Sequence, residues 1–315
     1  MFIKYLNHYF YSMDLSIPHL VAGDLIEIVA PAKAIEQEHV DFTKDFLENA
    51  GFRVRIGNHC LGRNNYFSGT VAERLSDFQS AIDDPEVKAI LCARGGYGCV
   101  QLVDKIQWAN MLRHPKWVIG FSDVTVFHQR LGKLGLQSIH ATMPLNFSKN
   151  SPEALSTLIS ALKGEPYSIK SAPDDKNKLG VTEGILRGGN LSILYSLLGT
   201  DDQGDYSNSI LFIEDLAEHI YHLDRMFFAL EKSGVLNKIK GLIVGGMTDL
   251  KDTVPSFGAS YQDVIRSHFE YRKIPICFDF PVGHVNDNRA MIVGAEVQLD
   301  VNEKGAKLDI ARLSR

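Results

Sequence analysis

The sequence lacks an apolar run of the roughly 20 residues that a membrane-spanning helix needs. Its opening segment, MFIKYLNHYFYSMDLSIPHL, has no continuous apolar stretch and no A-x-A-like cleavage site, so it does not resemble a secretory signal. Basic residues are scattered and the net charge is −5, which excludes a polybasic membrane patch and a nucleic-acid footprint. We therefore expect a cytoplasmic protein without membrane or nucleic-acid partners. Met13 is a possible start besides Met1, with the first dozen residues a poorly ordered extension.

Cysteine is scarce, and none of the four cysteines forms a C-x-x-C pair, so we expect reduced thiols rather than a disulfide framework. The H-E-x-x-H metal motif is also missing. His219 and His222 stand three residues apart with Asp215 one turn earlier, but a surface helix rich in His and Glu is usually solvated. We predict no metal and no cofactor.

The chain length of 315 residues predicts about two domains, at roughly 150 residues per domain. Strand-like and helix-like segments alternate through the first half, which predicts βαβ units, a parallel sheet and ligands at the carboxyl ends of its strands. We predict an N-terminal α/β domain over residues 14–148 and an interdomain linker over 149–180 that includes a helix. A C-terminal domain over 181–315 follows, and its last segments are predicted to be antiparallel strands.

The run ARGGYG, residues 93–98, follows the apolar strand VKAILC. Adjacent glycines allow positive φ and close backbone approach, so their N–H groups could bind an anion or oxyanion. A tight strand-to-helix turn is the alternative, because the run matches neither G-x-G-x-x-G nor a Walker loop.

Ser122, in the run IGFSDVTVFH, lies at the end of another apolar strand and just before a helical segment. A nucleophile elbow places a serine at such a junction, although Val124 replaces the second glycine of G-x-S-x-G. Serine is also a common N-cap residue. Both a nucleophile and a helix cap are therefore open for Ser122.

Two carboxylates, Glu214 and Asp215, end the apolar strand SILFI, and His284 lies in the loop PVGHVNDNR. A nucleophilic serine needs a histidine to take its proton and a carboxylate to orient that histidine. Ser122, Glu214 and His284 would form such a set across the cleft between domains. Adjacent strand residues point to opposite faces, so only one carboxylate can reach His284. The residues alone leave open which of the two it is. If it is Glu214, whose longer side chain suits a base on a separate loop, Asp215 would cap the helix that begins near Ala217.

Five runs occur together and in order, and the chain resembles the LD-carboxypeptidase family of serine peptidases over about residues 23–308. The runs are ARGGYG, GFSDVT, RGGNLSILYSLLGT, LFIEDLAEHIYHLDRMFFAL and GHVNDNRAMIVGAEVQLD. The resemblance implies a flavodoxin-like N-terminal domain, a smaller, partly β C-terminal domain, and a homodimer. It implies a triad of Ser122, Glu214 and His284, with the backbone N–H groups of Gly96 and Asp123 as the oxyanion hole.

The reaction implied by the resemblance is hydrolysis of the bond between an L-centre diamino acid and a terminal D-alanine in murein tetrapeptides. The free carboxylate of such a substrate needs a cation, for which Arg94 and Arg289 are candidates by position; a structural salt bridge is the alternative for either. Tyr97 and Asn190 are further candidates for substrate binding.

One departure from the family pattern is visible, because the usual His-Gly-Pro reads His140-Ala141-Thr142 here. This departure leaves the three triad residues unchanged and bears on which substrate the protein prefers. Two other functions stay open. One is a hydrolase resembling microcin-immunity proteins, which cleaves peptidyl- or acyl-adenylates. The other is a non-catalytic, flavodoxin-like ligand-binding module.

Overall fold

The computed structural model describes residues 17–310, so the possible start at Met13 lies outside the described residues. Thirteen strands and nine α-helices occur within that range. The strands are β1 (Leu25–Val29), β2 (Arg53–Ile56), β3 (Val87–Cys92), β4 (Trp117–Gly120), β5 (Ser138–His140), β6 (Tyr167–Ser171), β7 (Gly180–Asn190), β8 (Ser209–Leu216), β9 (Ile239–Thr248), β10 (Ile276–Cys277), β11 (Met291–Val293), β12 (Glu296–Asn302) and β13 (Gly305–Ile310). The helices are α1 (Gln37–Asn49), α2 (Val71–Asp83), α3 (Ala109–Arg113), α4 (Thr125–Lys133), α5 (Pro144–Phe147), α6 (Pro152–Lys163), α7 (Leu191–Ser196), α8 (Ile220–Lys232) and α9 (Tyr261–Ser267).

The first sheet has the strand order β11-β5-β4-β3-β1-β2. Strands β1 to β5 pair in parallel, and their order is that of flavodoxin-like sheets. At the start of α2, Thr70 and Glu73 form a capping box. The α/β class and the flavodoxin-like sheet are therefore confirmed.

The second sheet is mixed, with the order β10-β9-β8-β7-β12-β13-β6. Strands β7 to β10 pair in parallel, whereas β12, β13 and β6 pair antiparallel. The antiparallel pairing of β12 with β13 confirms the strands predicted near the end of the chain. Within this sheet β8 lies between β9 and β7 and carries Glu214 and Asp215.

The segment 149–180 contains more structure than its polar composition suggests. The predicted helix is α6, which Ser151 caps through its hydroxyl and which has Pro152 in its first turn. The segment also contains β6, which pairs with β13 at the edge of the second sheet. The boundaries of the predicted domains stay a prediction.

Strand β11 joins the two halves of the chain. It follows the His284 loop in the sequence but pairs antiparallel with β5 of the first sheet, with Met291 opposite His140. One hydrophobic core is continuous across the two sheets, and it contains Ile28 and Ile119 as well as Phe212 and Leu299. The carboxyl ends of β4, β5 and β8 and the loop before β11 therefore lie on one scaffold.

Candidate active site

Ser122 lies directly after β4 and begins a 3-10 turn, Ser122–Val124, that leads into α4. Its φ of +63° is in the left-handed region, which is uncommon for residues other than glycine. The strained serine of a nucleophile elbow is raised on a similar strand-to-helix junction. The N-cap positions of the turn and of α4 are Phe121 and Val124, and neither helix start has a side-chain cap. Ser122 is therefore not a helix cap.

The turn after β3 lies against this serine. A Cβ at Gly95 would stand 2.8 Å from the Ser122 Cβ and 3.0 Å from its Oγ, so a side chain here would collide with the serine. The side chain of Asp123 links the two turns, since its Oδ2 accepts a hydrogen bond from the Cys99 backbone N–H at 2.8 Å. Burial raises the pKa of this carboxyl.

The backbone groups predicted for the oxyanion hole belong to these two turns. The amide nitrogen of Asp123 lies 3.3 Å from the position that a Gly95 Cβ would take. Gly96 has a φ of +107°, and a Cβ there would meet the Tyr66 hydroxyl at 2.7 Å. The oxyanion hole stays a prediction.

Glu214 and Asp215 point to opposite sides of β8. Glu214 is fully buried, and its Oε2 lies 2.6 Å from His284 Nδ1. Asp215 instead accepts hydrogen bonds from Asn190 Nδ2 at 3.0 Å and from the Ser192 backbone N–H at 2.9 Å. The predicted alternation is therefore observed, with Glu214 as the carboxylate on the histidine.

The predicted capping role of Asp215 is wrong in one respect. The helix that follows it, α8, begins at Ile220 with His219 at its N-cap. Asp215 binds the first turn of α7, because β7 runs beside β8 and brings the start of α7 to that side chain. A neighbouring strand cannot be read from local sequence.

The His284 loop is held by contacts on both sides. The Gly283 N–H donates to Asn288 Oδ1 at 2.8 Å, and the Val282 carbonyl accepts from Gly246 N–H at 2.9 Å. Gly283 has a φ of +99°, and a Cβ there would lie 2.4 Å from the Glu214 Cβ. Only glycine at position 283 lets the loop approach the carboxylate this closely.

The electrostatics of the pair favour an ionised carboxylate beside a basic imidazole. Burial acts to raise the pKa of Glu214, but attraction to His284, with a further contribution from His140, outweighs it and lowers the pKa to about 2. Burial acts to lower the pKa of His284, yet Glu214 holds that pKa above its ordinary value of 6.5. With Nδ1 occupied by Glu214, Nε2 is the nitrogen left for proton transfer.

The four predicted substrate-binding residues differ in their contacts. Arg289 forms an ion pair with Asp287, and Asn190 caps α7 and holds Asp215. Arg94 donates one hydrogen bond to the Ala34 carbonyl, whereas its buried Nε has no partner among residues 17–310. Tyr97 is half-exposed beside the glycine turn. Arg94 and Tyr97 thus keep groups that a ligand can use.

Sequence reasoning missed an aromatic group next to the same turn. Tyr66 is 42% exposed, packs edge-on against Phe67 at 5.2 Å, and lies under the Lys33 ammonium at 5.0 Å. Phe67 in turn lies 6.3 Å from the ring of Tyr97. The run NNYFSG has no periodicity that identifies it as a strand or a helix, so nothing in the local sequence marks Tyr66 as part of the site.

The pair His219 and His222 does not converge on a metal site. His222 Nδ1 is hydrogen-bonded to Glu218 one turn earlier. Over residues 17–310, no group of three or more His, Cys, Asp or Glu side chains is arranged to hold a metal ion. In the same part of the chain, no helix combines the length and apolar character needed to cross a membrane.

Comparison with known families shows the family of this chain. Residues 26–141 match the LD-carboxypeptidase N-terminal domain, and residues 183–299 match the LD-carboxypeptidase C-terminal domain. The chain belongs to the LD-carboxypeptidase family. It is a serine-type carboxypeptidase, so the alternative of a non-catalytic binding module is wrong.

Individual LD-carboxypeptidase relatives align over nearly the whole chain. The murein tetrapeptide carboxypeptidase of Pseudomonas aeruginosa is 31% identical, over 88% of this chain and 93% of its own length. The crystal structure of muramoyltetrapeptide carboxypeptidase from Oxalobacter formigenes superimposes with a TM-score of 0.84 at 29% identity, covering 91% of this chain and 98% of that one. The microcin C7 self-immunity protein MccF of Escherichia coli is 25% identical, over 94% of this chain and 96% of its own length.

Proposed function

We propose that this carboxypeptidase hydrolyses the bond between the L-centre diamino acid and the terminal D-alanine of murein tetrapeptides. The observation that carries the proposal is the contact of the buried Glu214 with His284 across 2.6 Å, on the scaffold that presents Ser122 after β4. The names of the relatives supply the substrate class.

Each side chain of the proposed triad has one task. Ser122 Oγ attacks the carbonyl carbon of the scissile amide while His284 Nε2 accepts the hydroxyl proton, and Glu214 stabilises the resulting imidazolium. The backbone N–H groups of Gly96 and Asp123 receive the oxyanion. Collapse of the tetrahedral intermediate breaks the C–N bond, and His284 donates its proton to the amine of the departing D-alanine. Water then attacks the acyl-enzyme by the same route and restores Ser122.

The carboxylate of the terminal D-alanine requires a cation near the oxyanion site. Arg289 is paired with Asp287, whereas Arg94 retains a buried Nε without a hydrogen-bond partner among residues 17–310. Lys33 stands over Tyr66 beside the same turn. Arg94 is therefore the first candidate for the carboxylate, with Tyr97 beside it.

The proposed setting is the cytoplasm, where recycled cell-wall peptides would be the substrate, and the proposed assembly is a homodimer. Both follow from the resemblance to the family. Size-exclusion chromatography with light scattering tests the assembly, since a monomer would elute with half the mass of the dimer.

A second candidate function rests on the relative MccF and on the exposed rings of Tyr66 and Tyr97, which offer faces for a nucleobase. The deciding experiment incubates the enzyme with a murein tetrapeptide and, separately, with an aminoacyl sulfamoyl adenylate. Mass spectrometry should show that the tetrapeptide loses one alanine. The Ser122→Ala variant should leave the tetrapeptide uncleaved. Cleavage of the adenylate alone would replace the first proposal by the second.

A further inference from the structure

Two fully buried polar groups face each other beside the proposed triad without a completed hydrogen bond. His140 ends β5, and neither of its ring nitrogens has a hydrogen-bond partner among residues 17–310. Glu214 Oε1, the oxygen turned away from His284, also lacks one. His140 Nε2 and Glu214 Oε1 stand 3.8 Å apart.

Such a pair is unexpected in a close-packed interior. Leaving a buried donor or acceptor unpaired costs about 1–3 kcal/mol, and more for a charged group. A hydrogen bond between them needs a separation near 2.9 Å, so a shift of about 0.9 Å would pair His140 Nε2 with Glu214 Oε1. Hydrogen bonds of catalytic groups are often longer in the free enzyme and shorten when substrate binds.

Among residues 17–310, Glu214 is the one acid with an oxygen within 4 Å of a His140 ring nitrogen. Its ring packs edge-on against Phe121 at 5.8 Å and against Phe212 at 5.0 Å. His128, 6.1 Å away, is bound to Ser138 and to the Gly120 carbonyl, and burial keeps it uncharged by lowering its pKa to about 3. Within the described residues, no other group lies at hydrogen-bond distance from Nε2.

We propose that His140 is a positioning residue, which donates its Nε2–H to Glu214 Oε1 when the active site is in its working geometry. This inference rests on the proposed function of the Ser122–His284–Glu214 set. With Oε1 held by His140, the carboxylate plane cannot rotate, and Oε2 stays directed at His284 Nδ1. The first sheet thereby supports a carboxylate that belongs to the second sheet.

The arrangement divides the work between two imidazoles. His284 is 17% exposed and can exchange a proton with Ser122, whereas His140 is sealed from solvent and its Nε2 faces the carboxylate. His140 therefore acts through Glu214 and not on the substrate. Its replacement should lower kcat and leave KM unchanged.

Three substitutions separate a donor from a packing residue. Glutamine places its Nε2 three bonds from Cβ, as histidine does, so His140→Gln keeps a donor at the right reach. His140→Asn keeps a buried amide that is one bond too short, and His140→Phe keeps an aromatic ring without a donor. Thermal melting shows whether the Phe variant folds. If it does not, the comparison of the Asn and Gln variants still decides whether His140 acts as a hydrogen-bond donor.

The measurement is the rate at which a fluorophosphonate labels Ser122, together with kcat and KM for the tetrapeptide. We expect His140→Phe and His140→Asn to lower the labelling rate and kcat about 10- to 100-fold, the loss expected for a hydrogen bond to a charged group. His140→Gln should recover most of that loss. In a Glu214→Gln background the His140 substitutions should change the labelling rate less than about twofold, because a residue that acts through Glu214 has nothing left to support.

Full labelling of the Phe and Asn variants, or equal losses in all three variants, would overturn the inference. The inference would also be overturned if the losses in labelling rate from the His140 and Glu214→Gln substitutions were additive in the double variants. Because labelling needs no peptide, slow labelling of the Phe and Asn variants by an enzyme that leaves the tetrapeptide intact would support the role of His140 and overturn the proposed substrate.

Discussion

Replacing Glu214 by glutamine removes a charge from the centre of the proposed triad and almost no volume. The carboxylate is fully buried and bound to His284 at 2.6 Å. If the amide nitrogen of the glutamine faces His284, it donates to Nδ1 and forces the proton onto Nε2, which then cannot accept the serine proton. If the amide oxygen faces the ring instead, the imidazolium loses its counter-charge.

Both orientations impair proton transfer from Ser122 to His284, so we expect kcat to fall by about 10⁴, the loss typical of the carboxylate-to-amide change in a serine protease triad. This factor corresponds to about 5.5 kcal/mol of activation free energy. The melting temperature should change little, because glutamine keeps the shape of the side chain and the imidazole of His284 can become neutral rather than stay as an unpaired buried charge. Labelling of Ser122 by a fluorophosphonate and turnover of the tetrapeptide measure the first effect, and thermal melting measures the second.

Asp215→Ala is the matched control, one residue along the same strand and on the opposite face. It leaves the buried Asn190 Nδ2 and the partly buried Ser192 N–H without their acceptor. Stability should therefore fall by about 1–3 kcal/mol, the cost of an unpaired buried donor, while activity is partly kept. A stable but inactive Asp215 variant together with an active Glu214 variant would refute this assignment of the two carboxylates.

Four further predictions concern the same site. Ser122→Ala should reduce kcat by about 10⁶ with an unchanged circular dichroism spectrum, and residual activity above about a thousandth would remove Ser122 from the nucleophile role. His284 must be neutral to accept a proton, and Glu214 raises its pKa, so kcat/KM should fall on acidification through a pKa above 6.5. If Glu214→Gln did not lower the pKa in this profile, the pairing of Glu214 with His284 would be contradicted. Gly283→Ala places a Cβ 2.4 Å from the Glu214 Cβ, so stability should fall by roughly 1–3 kcal/mol and activity should fall with it. A wild-type melting temperature and wild-type activity would show that the loop can move. Treatment with EDTA should leave turnover unchanged, and a loss that one metal restores would redirect attention to Asp215, His219 and His222.

Much of the first sheet could be predicted because its signals are local. Apolar runs such as VKAILC and WVIGF each end at a turn and precede a helix, and Thr70 with Glu73 begins α2 by contacts within four residues. The alternation of Glu214 and Asp215 follows from strand geometry alone. These features need no knowledge of distant partners.

The parts that sequence reasoning did not reach depend on pairing between distant segments. The run YSIKS becomes β6 only because β13, more than 130 residues later, offers an edge. Asp215 binds α7 because β7 lies beside β8. The 3.8 Å approach of His140 to Glu214 requires both sheets to be assembled, and no local pattern marks His140 as a neighbour of the carboxylate.

The pairing of β11 with β5 limits how this protein can be divided. A fragment that ended before residue 180 would leave β5 with bare N–H and C=O groups along one edge, since its outer partner comes from residues 291–293. Uncovered strand edges pair readily with other chains. Such a fragment should aggregate when it is expressed alone, and co-expression with the remainder of the chain should restore it to solution.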